Sequence, residues 1–377
     1  MSLVVLATGG TGGHIYPALA TAHELLRRGF RVAFIGQEGG LEARVIPADG
    51  LPFYGVRAGK WHRGRPDPRQ AVRATFGLGD AVTLLRRLRP SLVLGFGGFA
   101  SFPALAAARV LGVPYALHEQ NVFPGKVVRW FAGGARFIAV AAAETQTHLE
   151  APVEPVGLPV REVRVDKRTA RRRLGLPETG LVTLVMGGSQ GSVVLNQAVP
   201  KAFAALQETV VPETVVPETV ENDLFVLHSS GPANLETTRR AARDLSNYRV
   251  DGYLDGVLAW SAADLGVTRS GNGTLAEAAF YGVPLVMVPL PSAAENHQLY
   301  NAKAVAEAGA GVVVQEQNLG TLTRAWAGLL EVSTLEQMSM SARLRSPEGA
   351  AARLAGLVER TLETAPKGRQ TQMQESL

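Results

Sequence analysis

The chain has 377 residues, 46% of them hydrophobic, with 41 glycines, no cysteine, and 38 Lys and Arg against 33 Asp and Glu for a net charge of +5. This is the composition of a globular protein with about two or three domains. The absence of cysteine excludes a disulfide framework, a zinc–thiolate site and a thiol nucleophile, in keeping with a reducing compartment. The mild charge, without a long Lys/Arg run, gives no reason to expect nucleic acid as a partner.

The start, MSLVVLATGGTGGH, has no basic region ahead of its short apolar run, so it reads as a first strand, Leu3–Ala7, and not as a signal peptide. A glycine loop over 8–13, a helix over 17–28 with Pro17 in its first turn, and a strand over 31–35 follow. Residues 91–108 are uncharged and of membrane-spanning length, but Gly95, Gly97, Gly98 and Pro103 divide them into a buried strand over 92–94, a loop over 95–98 and an Ala-rich helix over 103–110. A strand over 114–117 then leads into HEQN.

The Pro- and Arg-rich stretch 152–173 reads as an interdomain connection. A second alternating series follows it, with strands Leu181–Met186, 224–228, Leu265–Thr268, 283–289 and 311–314. Between them, 208–220 repeats a five-residue unit whose prolines forbid a regular helix; it reads as an exposed loop without a role. Helical periodicity returns over 347–364, and the polar tail from 365 is expected to be disordered. Two α/β domains with parallel sheets follow, 1–155 joined by the last helix and 156–346, facing a cleft, with chemistry at the carboxyl ends of the strands.

Three glycine loops follow strands: GGTGGH at 9–14, GFGG at 95–98 and GGSQGS at 187–192. Glycine lets backbone N–H groups approach a ligand, and a following helix adds the positive end of its dipole, so such loops suit diphosphates; they also suit close strand–helix packing. None matches the P-loop or the full G-x-G-x-x-G pattern, which disfavours ordinary nucleotidases and dinucleotide oxidoreductases. No D-x-D is present to bridge a metal to a diphosphate, and the His and carboxylate spacing offers no metal site.

With RSGNGTLAE at 269–277 and ENHQLYNA at 295–302, these motifs and HEQN stand in the order and spacing of the MurG family, which the chain resembles from about Leu3 to Gly311. The family transfers N-acetylglucosamine (GlcNAc) from UDP to lipid I, the undecaprenyl-linked muramyl peptide, giving lipid II. The resemblance implies the GT-B fold, two Rossmann-like domains with the last helix crossing back to the first. It implies inversion in one displacement onto the muramyl 4-hydroxyl, without a cofactor.

The family's site residues carry over individually. Arg161 and Ser189 are expected at the donor diphosphate, with Thr11, Gly12, Gly13, Asn121, Gln190 and Arg269 also on the donor side. The backbone of Leu254 is expected to read uracil. Asn272, Gly273 and Thr274 would wrap the nucleotide, Glu277 would accept the ribose hydroxyls, and Gln298 would contact the sugar. Thr274 and Glu277 also fit a capping box, the alternative for that carboxylate. Gly97, Gly98, Phe99 and His118 are assigned to the acceptor.

His14 stands just ahead of a helix whose dipole disfavours imidazolium, which suits a base on the acceptor hydroxyl. Glu119 is the competing base. The chain departs from the family at Leu158 in GLPV, at Phe99 in place of tyrosine, and at Val127 and Val128 in place of Thr-Asn, each the loss of a polar group. Rival readings are a GT-B transferase on another acceptor, an NAD-dependent oxidoreductase with Glu38 as its acidic residue, and an idle nucleotide-sugar binder.

A membrane-anchored acceptor implies a peripheral enzyme on the cytoplasmic face of the membrane and leaves other cell-wall enzymes open as partners. Residues 69–89 carry five arginines and Asp80, a local net of +4, beside Val72, Phe76, Leu78, Val82 and Leu85, a stretch suited to an anionic lipid surface. The same apolar residues also suit burial in the core, and Gly77 and Gly79 argue against a continuous helix there.

Overall fold

The structure, a computed structural model, describes residues 1–59, 68–188, 190–208 and 224–364. The chain folds as two compact units, Met1–Pro159 with the segment from Gly349 onward, and Val160–Glu348.

In the first unit seven parallel strands, β1 (Leu3–Ala7), β2 (Arg31–Gln37), β3 (Phe53–Val56), β4 (Leu92–Gly95), β5 (Tyr115–Glu119), β6 (Ile138–Val140) and β7 (Glu154–Pro155), lie in the order β3-β2-β1-β4-β5-β6-β7. The central strands β1 and β4 are apolar throughout because both faces of the sheet are covered. Alternate side chains enter opposite cores: Val5 and Val93 pack with Leu85 and Leu105, while Val4, Leu6 and Leu94 pack with Ile15, Leu25, Leu354 and Val358. The last helix, Ala350–Glu363, therefore completes the first unit's core, and the Arg28 guanidinium ties it down through Glu359 at 3.0 Å and the Ala352 carbonyl at 2.9 Å.

The second unit repeats the plan with β8 (Leu181–Met186), β9 (Leu224–Ser229), β10 (Tyr248–Asp251), β11 (Leu265–Thr268), β12 (Leu285–Met287) and β13 (Gly311–Val313), in the order β10-β9-β8-β11-β12-β13. In each sheet the strand order reverses beside the first strand, between β1 and β4 and between β8 and β11.

Several expectations change. The first helix runs Gly12–Arg27, not from Pro17, because Thr11 adopts an extended conformation and its carbonyl accepts the His14 and Ile15 N–H groups. Gly12 and Gly13 are thus helical. The connection 152–173 contains an edge strand, β7, and a helix, Lys167–Leu174, whose start is capped by the Asp166 carboxylate accepting the Thr169 N–H at 3.0 Å.

Residues 68–88 form one continuous helix, Pro68–Leu88, through both glycines. At Gly77 the reason is tertiary: a Cβ there would collide with the Arg57 carbonyl, so glycine lets the helix lie against the chain. Its apolar residues divide between two faces, with Val72 and Phe76 exposed, Leu78 and Val82 half-buried, and Leu85 in the core. Most of the five-residue repeat, and the tail from 365, lie outside the described residues.

Candidate functional site

In open parallel sheets, ligands bind where strand order reverses, outside the carboxyl ends of the strands. In the first unit that point receives the loops after β1 and β4, which carry GGTGGH and GFGG. The Thr11 hydroxyl lies 2.8 Å from His14 Nδ1, and the Thr8 hydroxyl donates to the His14 carbonyl at 2.8 Å. The partly exposed His14 ring packs on the backbone of the second loop: a Cβ at Gly97 would sit 3.6 Å from its Cδ2 and one at Gly98 3.6 Å from its Cε1. Gly97 and Gly98 have φ of 74° and 73°, a conformation that glycine adopts without strain. Phe99 flanks the first loop, with its ring 3.0 Å from a Cβ built on Gly10.

His118 and Glu119 end β5 but are spent on the protein. His118 is fully buried, with Nε2 3.0 Å from the Gly157 carbonyl and Nδ1 3.2 Å from Gln120 Nε2, and burial pushes its pKa down to about 4. A neutral ring with Nε2–H donating to Gly157 satisfies both contacts. Glu119 accepts the Asn121 N–H at 2.8 Å, the Asn121 side-chain amide at 3.1 Å and the Gly125 N–H at 2.9 Å, and thereby shapes the loop after β5. Burial raises its pKa, and those hydrogen bonds oppose the rise.

The departures from the family motifs also fall in packed surroundings. Leu158 and Val128 are buried, and Val128 stands against Gly97. Methyl groups fill those places where a polar side chain would need a partner.

In the second unit the reversal receives GGSQGS after β8 and RSGNGT after β11. Ser189 lies outside the described residues. Gln190 is exposed, and the loop behind it is locked against the loop after β9: a Cβ at Gly191 would strike the Ser230 carbonyl, and one at Gly231 would strike the Gln190 carbonyl. Asn196 holds the same place from below, donating to the Ser230 carbonyl at 2.9 Å while its Oδ1 stands 2.9 Å from His228 Nε2. Burial lowers His228 to about 3, and its Nδ1 faces the Tyr248 hydroxyl at 2.7 Å.

Arg269 is buried; it donates to Ser192 Oγ at 3.0 Å and to the Val288 carbonyl at 3.0 Å, and it pairs with Glu316 at 2.5 Å. Its charge thus braces the two loops from behind. Asn272, Gly273 and Thr274 form the partly buried first turn of the helix Asn272–Tyr281. Gly271 is the N-cap of that helix, so Thr274 is not, and the capping-box alternative for Glu277 is overturned. Glu277 instead accepts the Trp260 indole N–H at 3.0 Å, and burial raises its pKa.

Gln298 accepts the Leu290 N–H at 3.0 Å through its amide oxygen. The Leu254 side chain is buried in the core after β10, and Arg161 is exposed at the start of the unit. Sequence reasoning missed Asn196, Ser230, Gly231 and Trp260. Ser230-Gly231 directly after β9 was the available signal, a glycine turn at a strand end. Among the described residues, no group of three or more His, Asp or Glu is arranged to hold a metal ion.

Two units with the same strand order, each with glycine loops at its reversal, define the class of GT-B glycosyltransferases, and solved members share the fold. The glycosyltransferase of kitacinnamycin covers 95% of the chain at a TM-score of 0.67 and 18% identity, and Acinetobacter baumannii MurG covers 96% at 0.76 and 28%, matched over all of its own length. The glycosyltransferase family 28 N-terminal domain matches residues 4–140 and the family 28 C-terminal domain matches 182–354. The chain belongs to the MurG family. Curated relatives named UDP-N-acetylglucosamine–N-acetylmuramyl-(pentapeptide) pyrophosphoryl-undecaprenol N-acetylglucosamine transferase are 47% identical in Deinococcus radiodurans, over 97% of both chains, and 42% identical in Thermus thermophilus, over 95% of this chain and 99% of that one.

Proposed function

We propose that this protein transfers GlcNAc from UDP-GlcNAc to the undecaprenyl-pyrophosphoryl N-acetylmuramyl-pentapeptide, forming lipid II for peptidoglycan. The observation that carries the reading is the end-to-end match to relatives named for that reaction, with glycine loops at the strand reversal of both units.

The first unit takes the acceptor and the second takes the donor. With Nδ1–H donating to Thr11, His14 carries its lone pair on Nε2, which removes the proton of the muramyl 4-hydroxyl as that oxygen attacks the anomeric carbon. The bond to the diphosphate breaks on the opposite face, so the configuration inverts to a β-1,4 linkage. Backbone N–H groups of the second unit's loops, the start of the helix Asn272–Tyr281 and Arg161 stabilise the departing UDP. Glu277 accepts the ribose hydroxyls with Trp260 orienting it, and Gln298 offers its amide nitrogen to the sugar. His14 is favoured over Glu119 as the base because Glu119 already accepts three hydrogen bonds in the core.

The protein works at the cytoplasmic face of the membrane as a peripheral enzyme, and no helix among the described residues is long and apolar enough to cross one. Val72 and Phe76 are exposed on the helix Pro68–Leu88, which also carries the exposed Arg73 and Arg86, a combination that supports docking on anionic lipid. The test of the function is UDP release and lipid II formation from UDP-GlcNAc and lipid I by purified protein in detergent. Turnover with that pair supports the proposal; release with a different lipid acceptor alone, or none at all, overturns it.

A further inference from the structure

Glu42 is fully buried, has a place in no motif, and opens the short helix Glu42–Ala48 that follows β2. Its Oε2 accepts the Gly10 N–H at 3.2 Å and its Oε1 accepts the Gln37 N–H at 3.0 Å. Backbone without side chains closes around it: a Cβ at Gly9 would collide with Oε1, and one at Gly40 would lie 2.6 Å from Oε2. The sheet end and the first glycine loop are thus shaped around one carboxylate, with both oxygens turned to N–H donors.

We infer that Glu42 is a positioning residue for the transfer, holding Gly10 so that Thr11 and His14 stand at the geometry the acceptor hydroxyl requires. The path is short and continuous: Glu42 fixes the Gly10 N–H, Thr11 follows as the N-cap, and the Thr11 hydroxyl meets His14 Nδ1. A carboxylate is needed here because an amide would turn its NH2 toward one of the two N–H donors. An ångström of displacement at a reacting group costs on the order of 100-fold in rate, so this buried group acts on turnover without touching substrate.

The inference rests on His14 as the base, and the test separates the two. Transfer rates, KM for UDP-GlcNAc and the imidazole 15N shifts of His14 are measured for wild type, Glu42→Gln, Glu42→Asp, His14→Ala and the double variant His14→Ala with Glu42→Gln. Glu42→Asp keeps the charge but draws the oxygens back, and it serves if Glu42→Gln folds poorly. The expected result is a fall in kcat of about ten-fold or more with KM for the donor within about two-fold, moved His14 ring shifts, and a double variant no slower than His14→Ala. Normal turnover in His14→Ala overturns the base assignment and this inference with it. Loss in His14→Ala beside normal turnover and unmoved ring shifts in both Glu42 variants overturns the inference alone, and so does a double variant slower than His14→Ala by the full factor of Glu42→Gln.

Discussion

The Thr11 hydroxyl stands 2.8 Å from His14 Nδ1 at the first turn of the helix that leaves β1. When that hydroxyl accepts from Nδ1–H, the ring's lone pair stands on Nε2, the nitrogen left for the acceptor hydroxyl. His14→Ala is expected to lower kcat by about 10²- to 10⁴-fold, the range for a general base, with little change in donor affinity. Thr11→Val should lower kcat less, by about ten-fold, since the ring remains but is less firmly held. Steady-state kinetics at saturating UDP-GlcNAc checks both, and unchanged kcat in His14→Ala would remove it from the chemistry.

Glu277 should couple donor affinity to stability with opposite signs. Burial raises its carboxyl pKa, so the folded state holds the proton to higher pH than the unfolded chain, and stability is lost as pH rises through the folded pKa. Glu277→Gln is therefore expected to raise the melting temperature at neutral pH while weakening UDP-GlcNAc binding, read by scanning calorimetry and titration calorimetry. A variant that melts lower and binds UDP-GlcNAc normally would refute the ribose role.

The buried rings of His118 and His228 make the protein acid-sensitive. Both have pKa values depressed by burial, to about 4 and about 3, so their contribution is intact above the unfolded value near 6.5 and falls away as pH drops toward the folded values. At pH 5 each ring is expected to have cost about 2 kcal/mol relative to pH 7.5. Urea unfolding of His228→Asn and the wild type at both pH values checks this: the difference between the two pH values should shrink by about that amount in the variant.

Two glycines on one helix should respond in opposite directions. Gly79→Ala meets nothing within 4 Å and is expected to stabilise by about 0.5–1 kcal/mol through helix propensity. Gly77→Ala drives a methyl into the Arg57 carbonyl and should destabilise by about 1–3 kcal/mol. Thermal melts of the pair decide it, and equal shifts would mean that the helix does not lie against the chain as described.

For the membrane surface, Val72→Ser with Phe76→Ser, and separately Arg73→Ser with Arg86→Ser, should each reduce cosedimentation with vesicles rich in anionic phospholipid. Binding should also fall with added salt, through screening. Arg57 lies over the Phe76 ring at 4.7 Å and pairs with Asp80 at 2.6 Å, a tighter pairing than that of Arg73, which stands 3.9 Å from Glu38, so Arg57 is the less available of the two to lipid. Cosedimentation indifferent to lipid charge and to both pairs would clear this helix of a docking role.

The class of fold and the loops that matter are legible in the order of apolar runs and glycines along the chain. Buried parallel strands write apolar runs, as in Leu3–Ala7 and, with Thr183 as its one polar residue, Leu181–Met186, and the glycines that follow them mark where backbone must come close to something else. Short edge strands such as Glu154–Pro155 carry no such run, because an edge needs neither two apolar faces nor a full ladder, and they were invisible. What individual polar groups do depends on packing. Glu277 lost its alternative as a helix cap and gained Trp260 as a partner, Glu119 and Arg269 were found bracing loops, and Glu42, without a motif, became the anchor of the first loop. The physical reason is common to all four. A buried polar group must find its hydrogen bonds wherever the packed chain supplies them: Glu119 finds them two and six residues on, while Glu277, Glu42 and Arg269 reach across 17, 32 and 77 residues, and no sequence motif records any of these pairings.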